Sequence, residues 1–202
     1  MKRCFDFFCA ACGLLVLLPF MFLIAVAIIV SDGKPVLFRQ KRVGRNGVLF
    51  TLLKFRSMSV VKDSDVNDMF NAGDVSRVTG IGKFLRKWKL DELPQLWNVV
   101  RGDMSLVGPR PEIKKWVDVY PQQWERVLQV RPGITDPASI FYRNEEELLA
   151  KADDPEACYR DVVLPHKLEL YTQYVQQQTF FNDIKLIFQT LWSLVWTKTA
   201  KK

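Results

Sequence analysis

The chain has 202 residues, 49% of them hydrophobic, and its 29 Lys and Arg against 22 Asp and Glu give a formal net charge of +7. This length can bury one core and is short for two, so we expect one catalytic domain with an attachment. The positive charge suits nucleic acid, anionic lipid headgroups or a phosphorylated substrate. The four cysteines form no disulfide framework, and the only histidine, His166, has no nucleophile motif to serve, which argues against a Ser-His-Asp hydrolase.

An apolar segment opens the chain. Residues 7–30 carry no charge, and this length is enough to cross a bilayer core of roughly 30 Å. The segment is longer than a usual signal sequence, which disfavours a cleaved signal peptide. Basic residues flank it on both sides, and the heavier cluster on its C-terminal side places the main domain in the cytoplasm. Pro19 predicts a kink, so the residues fit either a spanning helix or a segment that enters and leaves the same leaflet.

A β-hairpin is predicted next. Strands over residues 36–40 and 48–55 flank residues 44–47, which contain an Asn-Gly turn signal. The polar residues 59–76 that follow predict a solvated loop or a short helix.

The rest of the chain is predicted to be mainly helical. The spacing of apolar residues predicts helices over residues 81–88, 93–100 and about 113–130, and charged residues 145–151 predict an exposed helix. At the C-terminus, Phe and Trp side chains lie on one side of a helix that ends in lysines. This pattern fits a helix in the membrane interface as well as a terminal helix packed on the core.

Two adjacent carboxylates, Asp91 and Glu92, carry the densest chemical signal. They directly follow three cations in residues 86–89, and Pro94 favours a helix start with Asp91 near its N-cap. The helix N-terminus and the cations both favour an ionised carboxylate. An ionised Asp91 can attack phosphorus to form an aspartyl phosphate, and Glu92 can bind Mg²⁺ or accept a proton. The same pair also fits a helix start that only compensates the helix dipole.

Further cations lie beside turns or strand ends. They are Lys54, Arg56, Arg101, Arg110 and Arg131. The guanidinium group matches phosphate bidentately, and neighbouring glycines permit close approach of backbone amides, so several such turns can converge on a diphosphate. The chain has no Walker A or G-x-G-x-x-G sequence and no nucleic-acid-binding motif, so we expect no nucleic-acid partner.

Four motifs in order identify a family. They are KFRSM at residues 54–58, LDELPQLWNV at 90–99, RGDMSLVGPRP at 101–111 and RPGIT at 131–135. Together they resemble the small monotopic phosphoglycosyl transferases among the bacterial sugar transferases, the group that includes the bacillosamine-phosphate transferase. The resemblance covers most of the chain.

The resemblance implies an α+β, mainly helical fold. Residues 1–31 would form a reentrant membrane helix broken at Pro19, and residues 32–202 a catalytic domain with interfacial amphipathic helices. This domain would lie on the cytoplasmic face of the bacterial inner membrane. The implied reaction moves a sugar-1-phosphate from a UDP-sugar to polyprenyl (undecaprenyl) phosphate and releases UMP by a ping-pong mechanism. It would be the first membrane step of polysaccharide or glycoconjugate assembly.

The family motifs also imply roles for single residues. Asp91 is similar to the family nucleophile and Glu92 to its base or metal partner, and both would hold Mg²⁺. The implied phosphate or nucleotide contacts are Lys54, Arg56, Arg86, Arg110, Pro111 and Arg131. One departure lies after residues 131–135, where many members have Gly-Trp-Ala-Gln and this chain has Asp-Pro-Ala-Ser at residues 136–139.

Three other hypotheses compete with this reaction. In a direct, ternary-complex transferase, Asp91 would only bind the metal. A non-enzymatic membrane protein would recruit a glycan assembly, and its partner binding would survive loss of Asp91 and Glu92. A nucleic-acid binder would show retention that depends strongly on salt.

Overall fold

The computed structural model describes residues 1–59 and 76–195. Over these residues the fold is α+β and mainly helical, as predicted, with two small sheets. The helices are α1 (Lys2–Asp32), α2 (Gly80–Lys87), α3 (Gln95–Arg101), α4 (Lys114–Val117), α5 (Pro121–Val127), α6 (Pro137–Phe141), α7 (Glu145–Ala150), α8 (Pro155–Cys158), α9 (Leu164–Gln176) and α10 (Phe180–Val195). The strands are β1 (Leu37–Val43), β2 (Leu49–Phe55), β3 (Ser105–Val107) and β4 (Gly133–Thr135).

The N-terminal helix α1 is held by the globular part near both of its ends. It is one helix that continues through Pro19, so the expected break does not divide it into two helices. By length and composition it could cross a membrane. Asp6 and Ala10 are buried near its start, Ile24 and Ile28 near its end, and none of residues 11–23 is buried. The middle of α1 therefore leaves an apolar surface exposed.

The predicted hairpin is confirmed. Strands β1 and β2 pair antiparallel, with Leu37 opposite Phe55 and Val43 opposite Leu49. In the connection Asn46 and Gly47 have φ angles of 56° and 77°, the left-handed conformation that Asn and Gly adopt most readily. The hairpin places Lys54 near the end of β2.

The other small sheet and the main core lie beyond the hairpin. Strand β3 pairs parallel to β4, and the largest buried cluster includes Trp116, Trp124 and Tyr171. The single helix expected over residues 113–130 is wrong, because α4 and α5 are separate. Pro121 is the first residue of α5, where it cannot donate a backbone hydrogen bond to the preceding turn.

The C-terminal helix α10 packs beside the start of α1. Asp183 forms an ion pair with Lys2 and accepts a 2.7 Å hydrogen bond from the Tyr174 hydroxyl. Phe180 packs edge-on against Phe5, with ring centroids 5.1 Å apart. The predicted helices at α2, α3, α7 and α10 are thus confirmed, whereas residues 60–75 of the predicted polar loop and residues 196–202 of the basic tail lie outside the described residues.

Candidate active site

Asp91 and Glu92 lie in a short 3₁₀ turn, Leu90–Glu92, between α2 and α3. Lys89 has a φ of 55°, and this left-handed residue turns the chain out of α2. The predicted N-cap role of Asp91 is wrong: α3 begins at Gln95 and has no capping side chain. Pro94 already has helical dihedral angles, so the 3₁₀ turn runs into α3 without the extended residue that an N-cap requires.

Glu92 is buried and paired with two cations from different parts of the chain. Its Oε1 atom accepts from Lys54 Nζ at 3.0 Å and from Arg110 Nη2 at 2.5 Å. Burial alone would raise the pKa of Glu92, but Arg110 and Lys54 hold this pKa well below its ordinary value. Glu92 in turn holds the pKa of Arg110 well above the usual value. Glu92 is therefore an ionised carboxylate and a weak base.

Asp91 is buried, and one of its carboxylate oxygens is unpaired. The residue is 6% exposed, and its Oδ1 atom has no hydrogen-bond partner. Burial raises the pKa of Asp91, and the neighbouring cations Lys54, Lys89 and Arg86 offset only part of this effect. The cations thus favour the ionised form, as expected, but desolvation, which the sequence does not show, outweighs them. Once ionised, this carboxylate has a free lone pair and is a stronger base and nucleophile than an ordinary Asp.

The predicted phosphate contacts divide into two groups. Lys54 and Arg110 meet at Glu92, and Arg86 is near enough to Asp91 to lower its pKa. Arg86 itself forms an ion pair with Glu146 of α7. These three cations surround the two carboxylates.

The remaining predicted contacts take part in hydrogen bonds with backbone carbonyl oxygens away from the two carboxylates. Arg56 donates from Nη2 to the carbonyl oxygens of Asp32 and Gly33, at 2.7 and 2.8 Å, and so caps the end of α1. Arg131 donates to the carbonyl oxygen of Gly102 at 2.9 Å. The carbonyl oxygen of Pro111 accepts from Arg42 at 3.1 Å. Substrate binding by Arg56, Pro111 and Arg131 stays a prediction.

Two glycines of the family motifs allow their chain segments to approach each other closely. A side chain at Gly108 would collide with the carbonyl oxygen of Arg131, and one at Gly133 would collide with the backbone of Gly108. Gly133 also donates to the carbonyl oxygen of Pro109 at 2.9 Å. The glycines therefore allow close contact between the start of β4 and the segment that follows β3, which carries Arg110.

Sequence reasoning assigned no role to Asn98, which ties α3 to the hairpin. Its Oδ1 accepts from the Leu53 amide at 3.1 Å, and its Nδ2 donates to the Thr51 carbonyl oxygen at 2.8 Å. Asn98 thus fixes the helix that follows Asp91 and Glu92 against the strand that carries Lys54. Its place within the motif at residues 90–99 was the one available signal.

Asp136, which departs from the family pattern in sequence, has a structural role. It is fully buried, and its Oδ1 accepts from the Ser139 amide at 2.8 Å, which caps α6. The pattern Asp-Pro-x-Ser is a recognisable helix start, with Pro137 at the first helical position. Burial raises the pKa of Asp136, while the Ser139 hydrogen bonds and Arg110 lower it.

Asp91 and Glu92 could bind a divalent cation together with the phosphates of a substrate. No group of three or more His, Cys, Asp or Glu side chains that could hold a metal occurs among the described residues. Mg²⁺ commonly binds through one or two carboxylates together with substrate phosphates. The available oxygens are Asp91 Oδ1, which has no partner, and Glu92 Oε2, whose contact with Arg110 Nη1 is long at 3.4 Å.

Comparison with known proteins matches this chain over nearly its whole length. The family model described as bacterial sugar transferase covers residues 1–197. The exopolysaccharide production protein ExoY of Rhizobium meliloti (strain 1021) is 34% identical, over 94% of this chain and 83% of its own.

Two longer relatives are named for their reactions. The undecaprenyl-phosphate galactose phosphotransferase of Salmonella typhimurium is 34% identical over 94% of this chain. The UDP-glucose:undecaprenyl-phosphate glucose-1-phosphate transferase of Escherichia coli K12 is 36% identical over 99% of this chain. The chain spans only 39% and 41% of these two proteins. It belongs to the bacterial sugar transferase family, which confirms the classification as a phosphoglycosyl transferase that its four ordered motifs predict.

Proposed function

We propose that this protein transfers a sugar-1-phosphate from a UDP-sugar to undecaprenyl phosphate, through a covalent intermediate on Asp91. Relatives named for undecaprenyl-phosphate transfer of galactose and glucose phosphates support this substrate class. The single observation that carries the role of Asp91 is its buried Oδ1 atom, which lacks a hydrogen-bond partner, whereas Glu92 Oε1 next to it accepts from two cations.

In the first step, an Asp91 carboxylate oxygen bonds to the β-phosphorus of the UDP-sugar. The bond between this phosphorus and the oxygen that bridges to the α-phosphate breaks, and UMP leaves with that electron pair. In the second step, a phosphate oxygen of undecaprenyl phosphate attacks the same phosphorus. The bond to Asp91 breaks, which frees the carboxylate and yields the undecaprenyl-diphosphate sugar.

The cations around the carboxylates fit the charge of this donor. Phosphoryl transfer depends chiefly on positioning and on charge stabilisation. Lys54 and Arg110 can contact the diphosphate while they remain near Glu92, and Arg86 can do so by exchanging Glu146 for phosphate. Arg110 offers a planar fork that binds two phosphate oxygens.

Asp91 and Glu92 would hold Mg²⁺, as the oxygens left without a close partner allow. Bound there, the ion would neutralise charge on the diphosphate. Glu92 suits this role and the placement of Lys54 and Arg110 better than that of a general base, since its pKa is depressed.

The placement of α1 supports membrane attachment from one side. A straight helix of 31 residues is about 46 Å long. Near its start Lys2 donates to the Val107 carbonyl oxygen at 3.0 Å, and at its end Asp32 accepts from Arg56. If α1 crossed the bilayer, the same globular domain would have to contact it on both sides. We therefore propose that α1 lies within the cytoplasmic leaflet of the inner membrane, with both of its ends at the cytoplasmic face.

Exposed apolar side chains extend this membrane-facing surface beyond α1. On α10 they include Phe181, Phe188, Leu191 and Trp192. Such side chains suit the interfacial region of a bilayer. The lipid phosphate acceptor would then reach the active site from the membrane.

The test is a panel of UDP-sugars, including UDP-galactose and UDP-glucose, supplied with undecaprenyl phosphate and Mg²⁺ to the detergent-solubilised protein. We expect UMP release with at least one donor. Radiolabelled donor without acceptor should label the wild-type protein and should leave Asp91→Asn unlabelled. Turnover without any labelled protein would favour the direct transferase, and no UMP release from any donor would overturn the proposal.

A further inference from the structure

Gln95 shares a buried face with the two carboxylates. Over residues 90–101 the buried residues are Asp91, Glu92, Pro94, Gln95, Asn98 and Val99. Residues three and four apart lie on one side of such a helical segment. Gln95 is three residues from Glu92 and four from Asp91. Its side chain therefore lies on the same side of the segment as the two carboxylates, the side that faces the protein interior.

The side-chain Nε2 atom of Gln95 is buried without a hydrogen bond, and the residue is only 1% exposed. A buried amide left unpaired costs free energy, which is why such groups are rare in folded proteins. Its neighbour Asn98, also fully buried and one turn along the same helix, uses both of its side-chain polar atoms. The helix can thus satisfy a buried amide, and Gln95 is the exception.

The unpaired atoms of Gln95 and Asp91 are complementary in chemistry. Gln95 Nε2 offers hydrogen-bond donors, and Asp91 Oδ1 offers a lone pair. A phosphoryl group has an electrophilic phosphorus for the lone pair and anionic oxygens for the donors. A neutral sugar hydroxyl would satisfy the amide but would give the carboxylate no electrophile.

We infer that Gln95 is a substrate-binding residue whose Nε2 donates to an oxygen of the phosphoryl group that Asp91 attacks. This inference rests on the proposed function. The amide adds a neutral donor to a site whose other groups are charged, and it orients the phosphorus toward Asp91 without changing the net charge. Because Nε2 has no protein partner, it can donate to the phosphoryl oxygen without first breaking another hydrogen bond.

The inference predicts opposite effects on stability and on activity. Gln95→Met removes an unpaired buried amide and keeps the approximate shape, so the melting temperature should stay the same or rise. The rate of UMP release should fall by roughly 10- to 100-fold, the value of one hydrogen bond to a charged oxygen. Donor binding should weaken as well, as a smaller rise in melting temperature on addition of UDP-sugar.

Asn98→Leu is the matched control on the same helix face. It breaks satisfied hydrogen bonds to Leu53 and Thr51, so it should lower the melting temperature. Gln122→Met replaces an exposed glutamine of α5 and should change neither quantity. Gln95→Asn keeps the amide on a shorter side chain and should recover part of the rate that Gln95→Met loses.

Full activity of Gln95→Met in a preparation where Asp91→Asn is inactive would overturn this inference alone. So would a melting temperature that falls in Gln95→Met as it does in Asn98→Leu, because the amide would then be structural. A wild-type protein inactive with every UDP-sugar would overturn the proposed function, and this inference with it.

Discussion

Asp91 and Glu92 are adjacent and similarly buried, yet their pKa values move in opposite directions. The reason is that Glu92 accepts from Lys54 and Arg110, whereas Asp91 Oδ1 has no partner. Burial therefore dominates at Asp91 and raises its pKa, and paired charge dominates at Glu92 and lowers it. One carboxylate is left reactive, and the other holds cations in place.

Replacing Asp91 should separate activity from stability. Asp91→Asn removes a buried, unpaired charge, so the free energy of unfolding at neutral pH should rise by about 1 kcal/mol. UMP release should fall by more than roughly 1000-fold, because the nucleophile is lost. Chemical denaturation and a UMP assay measure the two effects. Asp118→Asn, at the exposed residue that follows α4, is the control and should affect neither. A strongly destabilised Asp91→Asn would contradict the description of this site.

Replacing Glu92 should lower stability, whereas replacing Asp91 should raise it. Glu92→Gln leaves Lys54 and Arg110 without their carboxylate, so the free energy of unfolding should fall by about 3 kcal/mol at neutral pH. Combining it with Arg110→Met should cost less than the sum of the two changes, because one uncompensated cation is then absent. Denaturation of the two single variants and the double variant measures this coupling, and simple additivity would count against the ion pair.

The same ion pairs predict how stability depends on pH. The pKa of Glu92 is lower in the folded state than in the unfolded state, where it is about 4.3. Its contribution is therefore present above the unfolded value and is lost as the pH falls through the folded value. The stability difference between wild type and Glu92→Gln should shrink on acidification. A difference that stays constant down to pH 2 would be inconsistent with a depressed pKa.

The rate of the first step should follow the ionisation of Asp91. Only the ionised carboxylate attacks, and burial raises its pKa, so the rate should increase with pH with a midpoint above the ordinary Asp value of about 3.9. Lys54→Met removes the cation that lowers this pKa most, so the midpoint should move to higher pH. Single-turnover UMP release across pH measures the midpoint independently of the maximal rate. A midpoint that moves down in Lys54→Met would refute the assignment.

The contact between the two glycine loops should be intolerant of a side chain. Gly133→Ala places a Cβ against the backbone of Gly108, so we expect a loss of about 3 kcal/mol in the free energy of unfolding. Gly80→Ala is the matched control, since no atom lies within 4 Å of a Cβ there, and it should change stability by less than about 0.5 kcal/mol. Thermal and chemical denaturation compare the pair, and equal stability of the two variants would contradict the close loop contact.

Both ends of α1 should be accessible from one side of the membrane. A membrane-impermeant maleimide should label Cys4 and a Lys34→Cys variant in inside-out vesicles and neither in right-side-out vesicles, each in a background with the other cysteines changed to Ser. A variant that retains only Cys158 reports the side of the globular domain. Labelling of Cys4 and position 34 from opposite sides would show a spanning helix.

Signals local to the chain predicted much of the fold and part of the site. The Asn-Gly turn predicted the hairpin, and apolar spacing predicted α2, α3 and α10. The single helix expected over residues 113–130 was wrong because Pro121 has no amide hydrogen with which to continue a helix from the residues before it, and α5 begins there. The N-cap role of Asp91 was wrong because dihedral angles at Pro94 depend on how the 3₁₀ turn continues into α3.

The sequence by itself determined the family, the apolar N-terminal segment and the adjacent carboxylates, because each is a feature of consecutive residues. Only the tertiary structure decided which cations reach Glu92, since Lys54 and Arg110 come from a hairpin and a loop that packing brings together. It also decided that Arg56 caps α1 instead of lying at the carboxylates. The different ionisation of Asp91 and Glu92 was likewise beyond the sequence, because burial and ion pairing depend on residues that are distant along the chain.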